Sequence, residues 1–514
     1  MIRVALDLAM MRPGVGGTGS GIWTYASTLL KEISESAPDD IELCCLIQRD
    51  LIGSMSNHRN IRFVAVPRFG KNIVLRLLWN HLILPLLCIC KRIDVLHKPA
   101  TETPLLLPCR CVTTIHDFYY NFLFESEYSQ RASLRVRLES IYLNAMQRHS
   151  IRRSDALITV SETIKKEAVK RYPDSDSKIH VIHHGVPLGF GSARTDTEKE
   201  DSDTFSFLYL AKFMPYKGQH LALDALRALI EEHPSLSRSV RLCLRGFEND
   251  RDYFESIVDE VAALNEAGCL VEILPYDARK DLGDLYRDFD ALLFLSAYEG
   301  FGLPLIEAQQ MGLPVLCSDI PVLREVGGEG AIYVDRNDPA AIAARMRELI
   351  EDKNLYTETI RRGRDNLQRF SWEKSVRKTL DVYRQLECPK RTGLALWRAA
   401  TIAYMALVVS ASLLPIGLGS AGGIPHIDKL AHLLMYMGMA FLLCRSFNAD
   451  KSPARRRLIA LGYAVVFGVL MEVFQYAFAP SRSFSLADII ANTLGAGIGT
   501  LTLRKQWNLV SAKQ

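Results

Sequence analysis

The chain has 514 residues, of which 48% are hydrophobic, and its 62 Lys and Arg against 58 Asp and Glu leave a net charge of only +4. That length suits about three domains with ample cores, and the small charge excess argues against nucleic-acid binding, which needs a strong basic stripe. The 11 cysteines are scattered without a C-x-x-C pair, so neither a zinc site nor a disulfide framework is favoured.

The chain begins with a strand pattern and a glycine-rich run. IRVALDL predicts a first parallel strand, and PGVGGTGSG and a helix from about residue 22 to 33 follow it. Asp7 within the apolar run and the lack of a cleavable signal pattern predict a cytoplasmic N-terminal region. Gly14, Gly16 and Gly19 fit G-x-G-x-x-G, so a dinucleotide-binding turn is an alternative, but MMRP separates them from the strand.

Three later segments of this region carry distinctive side chains. VLRLLWNHLILPLLCIC is interrupted by polar residues and Pro85, which predicts a core or interfacial helix rather than a membrane span. CVTTIHD predicts a strand with His116 at its carboxyl end, where open α/β sheets place their sites. A structural role is the alternative for a lone histidine there. His183 and His184 lack the carboxylate or cysteine spacing of a metal site, so we expect them to be structural.

A polar segment, residues 188–204, predicts a linker to a second α/β region. FSFLYL predicts the first strand of that region, and Lys212 and Lys217 flank the loop after it. Two cations around a phosphate crevice would neutralise a diphosphate leaving group. The alternative is a pair of solvated lysines.

A second strand-loop-helix connection follows in ALLFLSAYEGFGLPLIE. Gly300 and Gly302 would let the backbone approach a ligand, and the helix start beyond them would favour an anion. Glu299 and Glu307 could accept hydrogen bonds from sugar hydroxyls. For an isolated E-x7-E pattern, two solvated glutamates are the alternative.

The stretch E-GFGLPLI-E, followed by A-x-x-x-G-x-P-V and Glu325, resembles the donor-site signature of the retaining GT-B glycosyltransferases of family 4. The resemblance runs to about residue 387 and implies an α/β chain of two Rossmann-like domains. These are an acceptor-side domain at 1–187 and a donor-binding domain with a closing helix at 205–387. The family pattern is usually G-R-x-x-x-x-K-G, so Lys212 stands in the arginine place and keeps its charge but not its bidentate fork.

The resemblance also implies roles for individual residues. Glu307 would hold the nucleotide ribose, and His116 and Glu299 would act catalytically at the reacting sugar. Further donor contacts would come from Gly16, Gly17, Lys212, Lys217, Gly300, Phe301 and Gly302. Departure from the same face would leave a phosphate oxygen to take the acceptor proton, so no protein base, metal or other cofactor is expected.

The last quarter of the chain changes in character. Four apolar runs, at about 394–414, 428–446, 458–478 and 485–503, approach the roughly 20 residues that span a bilayer. DKLAHLLMY, GVLMEVFQ and RSFSLADIIANTLGAGIG resemble the VanZ-like membrane domain, which implies an all-α four-helix transmembrane domain at 394–505. The flanking Lys and Arg place both termini inside. We therefore expect a multi-pass protein of the inner (cytoplasmic) membrane, with its catalytic domains in the cytoplasm.

Eight polar residues in or beside these runs would be costly in hydrocarbon unless they were paired or faced a cavity. The predicted topology gathers them on the outer side of the bilayer: Asp428, Lys429, His432, Glu472, Gln475, Arg482, Asp488 and Asn492. One interpretation is a hydrogen-bonded helix-packing network. The other is a pocket for an anionic lipid or glycan head group.

Taken together, the sequence predicts a retaining, metal-independent glycosyltransferase tethered to the membrane. Its partners would be a nucleotide sugar, a glycan acceptor that is plausibly lipid-linked, and the membrane, in surface polysaccharide assembly. The rival hypothesis is a membrane transport or lipid-handling protein whose soluble part binds a nucleotide sugar without turnover.

Overall fold

The protein is described by a computed structural model. The residues that the structure describes are 1–13, 21–36, 38–53, 61–68, 73–126, 134–186, 204–275, 282–386, 393–413, 427–447, 452–478 and 485–501. Two parallel β-sheets with their helices, followed by four long helices, make up this part of the chain.

The first sheet has seven parallel strands. They are β1 (Ile2–Asp7), β2 (Ile41–Gln48), β3 (Ile61–Val66), β4 (Val95–Lys98), β5 (Arg110–Ile115), β6 (Ala156–Thr159) and β7 (Ile179–Val181). Their order is β3-β2-β1-β4-β5-β6-β7, and Val4 pairs with Val95 where the order reverses. The strands are rich in apolar residues because helices cover both faces of a parallel sheet.

Six α-helices accompany this sheet in the described part of the region. They are α1 (Gly21–Ser36), α2 (Ile73–Leu78), α3 (Leu84–Cys90), α4 (Tyr119–Glu125), α5 (Leu134–Arg153) and α6 (Glu162–Arg171). A π-helical turn, Trp79–Ile83, joins α2 to α3 without a break. This widened turn precedes Pro85, whose ring does not fit under an ordinary α-helical turn. The apolar stretch of residues 74–90, which polar residues interrupt in the sequence, is therefore helical without a break.

The second sheet has six parallel strands in the order β10-β9-β8-β11-β12-β13. They are β8 (Phe205–Leu210), β9 (Val240–Arg245), β10 (Leu270–Leu274), β11 (Ala291–Phe294), β12 (Val315–Ser318) and β13 (Ile332–Val334). Its helices are α7 (Gln219–Glu232), α8 (Arg251–Glu266), α9 (Leu282–Arg287), α10 (Leu303–Gln310), α11 (Pro321–Gly327), α12 (Pro339–Glu351) and α13 (Lys353–Leu367). The strand order reverses between β8 and β11, at the middle of the sheet.

Helix α14 (Trp372–Gln385) returns to the first domain. Trp372 and Tyr383 are buried in the same apolar cluster as Val4 of β1. The hydroxyl of Tyr383 lies 2.6 Å from Nδ1 of His97. A Cβ atom on Gly185 would lie 2.4 Å from the backbone nitrogen of Trp372, so the helix needs a glycine at this crossing.

Four helices follow: α15 (Gly393–Leu413), α16 (Ile427–Ser446), α17 (Pro453–Phe478) and α18 (Leu486–Leu501). Among the described residues, one helix is long and apolar enough to cross a membrane by length and composition, over Gly393–Ser410. The described residues of the four predicted apolar runs are thus almost entirely helical. That all four of them cross a bilayer stays a prediction.

Glycines bring α16 and α18 together. A Cβ atom on Gly495 would lie 2.1 Å from the carbonyl oxygen of Leu433, and one on Gly499 would lie 2.2 Å from that of Met437. Both contacts are to backbone, which cannot move aside as a side chain can. The spacing of four therefore forms a small-residue seam of the kind that lets helices pack closely in membranes.

The four helices also pack against the first domain. Leu106, from the segment before β5, is buried in the same apolar cluster as Ile402 of α15 and Tyr436 of α16. Leu86 and Ile89 of α3 pack against this cluster. The first domain and the C-terminal helices thus share a core.

The glycine seam can be tested with a matched pair of substitutions in α18. Gly495→Ala should lower the thermal unfolding temperature of the full-length protein in detergent, because its Cβ would collide with the α16 backbone. A Cβ atom on Gly497 would meet nothing within 4 Å. Gly497→Ala should be neutral or stabilising by up to about 1 kcal/mol, as alanine replaces glycine in a helix. Equal effects of the two changes would contradict the close packing of α16 and α18.

Candidate active site

The carboxyl ends of β8 and β11 form a crevice in the second domain. The segment after β8 carries Lys212 and Lys217, and the segment after β11 carries Glu299 and Gly300. These two strands are neighbours at the reversal of strand order. Ligands of open α/β sheets bind at such a reversal, so the predicted lysine pair and glycine loop lie where a ligand is expected.

The glycine loop closes against the first domain. A Cβ atom on Gly300 would lie 2.0 Å from the carbonyl oxygen of His116. The hydroxyl of Ser161 donates a hydrogen bond to the carbonyl of Gly300 at 3.0 Å. Gly302 has a φ of 94°, a conformation that glycine adopts without strain, and α10 begins at the next residue. The loop thereby brings His116 next to the residues that follow β11.

The two lysines lie in different surroundings. Nζ of Lys217 lies 2.5 Å from Oε1 of Glu299, in a pair whose side chains are 12% and 13% exposed. Nζ of Lys212 lies 4.8 Å from the ring centre of Tyr119 and 5.5 Å from that of Tyr216, which allows cation–π attraction. Burial and the charge of Lys217 lower the pKa of Lys212 to about 8.

Glu307 lies in the first turns of α10 and is 7% exposed. The hydroxyl of Tyr286 donates a hydrogen bond to its Oε2 at 2.8 Å. Burial raises the pKa of Glu307 to about 7, against the lowering effect of that hydrogen bond. The carboxyl is therefore poised between its neutral and charged forms near neutral pH.

His116 is held in one orientation by its neighbours. Its Nε2 lies 2.9 Å from the carbonyl oxygen of Pro99, so Nε2 carries the proton and Nδ1 keeps the lone pair. Its ring contacts Tyr25 edge-on and stacks on His184, with ring centres 5.0 and 5.8 Å away. Burial lowers the pKa of His116 to about 4, so the imidazole is neutral at pH 7.

Sequence reasoning missed Asp117. Burial raises the pKa of this carboxyl, while the amide of Tyr119 and the charges of Lys212 and Lys217 act against the rise. Asp117 thus faces the same crevice as the lysines. Its position directly after His116, at the end of a strand, was the signal that could have found it.

Glu325 links the two domains. Its carboxylate accepts hydrogen bonds from the amides of Glu162 and Thr163 at 2.7 and 2.8 Å, at the start of α6. Nε2 of His183 lies 2.9 Å from the same carboxylate. Burial alone would raise the pKa of Glu325, but the hydrogen bonds from His183, Thr163 and the two amides lower it to about 2. A carboxylate at the N-terminus of α6 also suits the helix dipole.

Three predicted donor-binding residues remain to be placed: Gly16, Gly17 and Phe301. Gly16 and Gly17 lie outside the described residues, so their donor role stays a prediction. Phe301 is buried in the apolar cluster that includes Leu305, and its ring contacts that of His184 with centres 4.7 Å apart. The backbone of Phe301 is the part left for a ligand.

Four of the eight polar residues predicted for the C-terminal helices form two pairs between α16 and α18. Nζ of Lys429 lies 2.6 Å from Oδ1 of Asp488, and Nδ1 of His432 lies 3.0 Å from Oδ1 of Asn492. Glu472 accepts a hydrogen bond from the amide of Ser485 at 3.3 Å. Gln475 donates one to the carbonyl of Ser412 at 3.0 Å instead. Arg482 and the side chain of Asp428 lie outside the described residues.

Three family models match the chain in succession. The Glycosyltransferase Family 4 model matches residues 19–190, and the Glycosyl transferases group 1 model matches residues 194–366. The VanZ/LLP1 model matches residues 368–508. The chain thus carries two successive glycosyltransferase domains and a VanZ-like domain. The resemblance found in the sequence is thereby confirmed.

Similar proteins agree with this assignment. The chain is 26% identical over 298 residues to O-antigen chain mannosyltransferase B of Escherichia coli, covering 57% of this chain and 74% of the relative. It is 26% identical over 345 residues to O-antigen chain mannosyltransferase RfbU of Salmonella typhimurium, covering 65% and 88%. Among solved structures, WaaG, a glycosyltransferase involved in lipopolysaccharide biosynthesis, is similar with a TM-score of 0.54 and 16% identity, covering 74% of this chain and 99% of WaaG. The two-domain GT-B fold is therefore established for the transferase part.

The opposing pKa shifts in the crevice predict a bell-shaped pH dependence of kcat/KM, which reports the free enzyme. Activity should rise as the pH increases through about 7, because the carboxyl of Glu307 loses its proton and becomes a charged hydrogen-bond acceptor. It should fall above about 8, because Lys212 loses its proton and its positive charge. Lys212→Arg keeps its charge at high pH and should remove the alkaline limb alone. If that limb persists in Lys212→Arg, another group causes it.

Proposed function

We propose that the chain is a retaining glycosyltransferase that moves a sugar from a nucleotide diphosphate donor to a lipid-linked glycan acceptor. The reaction would take place at the cytoplasmic face of the membrane, in surface polysaccharide synthesis. The observation that carries the proposal is the crevice in which Lys212 and Lys217 lie beside Glu299, closed by His116 from the other domain. The O-antigen mannosyltransferases among the relatives support the polysaccharide assignment.

The charges in the crevice suit a departing nucleoside diphosphate. Lys217 is paired with Glu299 at 2.5 Å, and Lys212 lies beside two tyrosine rings that contact each other. Preorganised cations of this kind stabilise negative charge that grows on a leaving group. We assign the diphosphate to these two lysines, and no metal ion is then needed in this crevice. Glu307 would accept hydrogen bonds from the ribose, and Glu299 and the loop amides would hold the sugar.

The state of His116 supports retention of configuration. A pKa of about 4 makes its imidazole a weak base at pH 7, and its Nε2–H is already used by Pro99. We therefore assign the proton of the acceptor hydroxyl to an oxygen of the departing phosphate. The bond from the anomeric carbon to the phosphate breaks and the bond to the acceptor oxygen forms on the same face. His116 positions the sugar in this scheme.

An apolar cavity supports a lipid-linked acceptor. It has a volume of about 320 Å³ and lies between the first domain and the C-terminal helices. Leu78 and Tyr142 line it from the first domain, and Met405, Met439 and Phe467 line it from the helices. A cavity between these two parts can hold a segment of hydrocarbon chain, since its lining offers apolar contacts on both sides.

The surface of the C-terminal helices supports their insertion into the membrane. Large apolar side chains point outward on each of the four helices, and Leu407, Leu458 and Leu486 are 62%, 70% and 67% exposed. Contiguous exposed apolar surface marks a membrane or protein interface. We infer a multi-pass membrane domain, although by length and composition α15 alone among the described helices is a candidate span.

The rival function is nucleotide-sugar binding without turnover, in a protein that handles or transports lipids. Binding alone needs the ribose and phosphate contacts. It does not need His116 packed against the donor loop at the close approach of Gly300. That interdomain contact favours transfer.

The function is tested by offering full-length protein a panel of radiolabelled nucleotide sugars together with a membrane lipid extract. We expect one donor to label a lipid product with the anomeric configuration of the donor. Lys217→Ala should lower transfer by about 10²-fold, as when one preorganised charge facing the transition state is removed. The exposed Lys353→Ala should not lower it. Donor binding without any transfer would favour the rival, and inverted configuration would exclude retention.

The cavity is tested by a pair of substitutions on α15. Met405→Trp should fill part of the cavity and lower transfer to the lipid acceptor, while hydrolysis of the donor by water is kept. Leu407→Trp, two residues along the helix at an exposed position, should leave both activities unchanged. If Met405→Trp transfers to the lipid acceptor at the wild-type rate, the cavity does not hold the acceptor.

A further inference from the structure

One end of the C-terminal helices gathers polar side chains from three of them. Lys429 and His432 lie near the start of α16, Asp488 lies near the start of α18, and Glu472 lies near the end of α17. These ends meet because α16 and α18 pack side by side in parallel and α17 packs against both in the opposite direction. One ring nitrogen of His432 and one carboxylate oxygen each of Glu472 and Asp488 lie within 4.8 Å of one another.

Two buried polar atoms in this cluster have no hydrogen-bond partner among the described residues. Glu472 is 2% exposed, and its Oε1 is unpaired while its Oε2 accepts from Ser485. Asn492 is 1% exposed, and its Nδ2 is unpaired. An unsatisfied buried polar group costs about 1–3 kcal/mol. A cation bound in the cluster would give Oε1 of Glu472 the partner that it lacks among the described residues.

The tautomer of His432 indicates what that ligand is. Nδ1 lies 3.0 Å from the carbonyl oxygen Oδ1 of Asn492, so Nδ1 donates and Nε2 keeps its lone pair. Metal-binding histidines are oriented in this way, by donating their other ring N–H to a fixed acceptor. Lys429 holds Oδ1 of Asp488 at 2.6 Å, which leaves Oδ2 for another contact.

We propose that His432, Glu472 and Asp488 bind a divalent transition-metal ion such as Zn²⁺ or Mn²⁺. One imidazole and two carboxylates form a nitrogen and oxygen ligand set that suits such ions. The buried carboxylate of Glu472 gains the partner that its Oε1 lacks, and Asn492 orients the histidine. The sequence predicted no metal for this chain, and its interpretation of these residues was a head-group pocket or a packing network.

Lys429 limits what else the site can hold. Two carboxylates, one ammonium and one divalent ion leave a single positive charge in excess. The metal therefore leaves room for one anionic group, such as a phosphate oxygen, as a further ligand. The site lies within α16, α17 and α18, and its metal does not depend on the reaction of the transferase domains.

The metal is tested on full-length protein purified in detergent, stripped with a chelator and titrated with ZnCl₂ or MnCl₂. We expect one ion per chain by elemental analysis, and a rise in thermal unfolding temperature that depends on its concentration. Glu472→Gln and His432→Ala should lose both responses. Asn492→Ala should weaken binding by about 10- to 100-fold, as loss of an outer partner does. Thr493→Ala, at an exposed position of α18, should bind like the wild type.

Two further results separate a metal site from the other interpretations. Without metal, Glu472→Gln should be at least as stable as the wild type, because it removes a buried unpaired carboxylate oxygen. If Glu472→Gln lost much stability and the wild type bound no metal, the cluster would be identified as a packing network. Lys429→Gln should bind the ion as tightly as the wild type or tighter, because a competing cation is gone. Loss of metal binding in Lys429→Gln would overturn the proposal, as would full metal binding by Glu472→Gln.

Discussion

The contact between Gly300 and the carbonyl of His116 sets the geometry of the crevice. The glycine loop after β11 and the end of β5 meet there with no space for a side chain. Around this point, the carboxylate of Glu325 accepts hydrogen bonds from the first amides of α6. The hydroxyl of Tyr298 accepts a hydrogen bond from the amide of Phe118 and donates one to Glu167. These hydrogen bonds hold the two sheets at one separation, so residues from both domains lie at a single crevice.

Local patterns in the sequence predicted the elements of the fold and much of the crevice. Buried parallel strands are nearly continuous apolar runs, so IRVALDL and ALLFLS were recognisable, and Lys217 and Glu299 were found from motif spacing. Two other contacts were not predictable, because they join residues far apart in sequence. They are the packing of Tyr119 beside Lys212 and the hydrogen bonds by which Glu325 caps the start of α6. The spacing of four on α16 and α18 placed polar residues on shared faces. It could not show that Lys429 pairs with Asp488 across two helices.

Burial decides the chemistry of the side chains as much as their identity does. His116 and Glu307 are both titratable groups at the crevice, and desolvation moves one towards a weaker base and the other towards a weaker acid. The same effect lowers the pKa of Lys212 to about 8, so its positive charge depends on the pH. In the C-terminal helices, burial leaves Glu472 with an unpaired oxygen. Desolvation thus acts on polar and titratable groups at both places where function is proposed.

Leu106 of the first domain is packed into the core of the C-terminal helices, so the transferase cannot swing freely on its anchor. If those helices lie in a bilayer, the crevice stays at a constant height above the lipid surface. With the lipid-linked acceptor proposed above, a crevice at constant height would admit only acceptors whose sugar end reaches it from the lipid surface. A flexible tether of the same length would set no such limit.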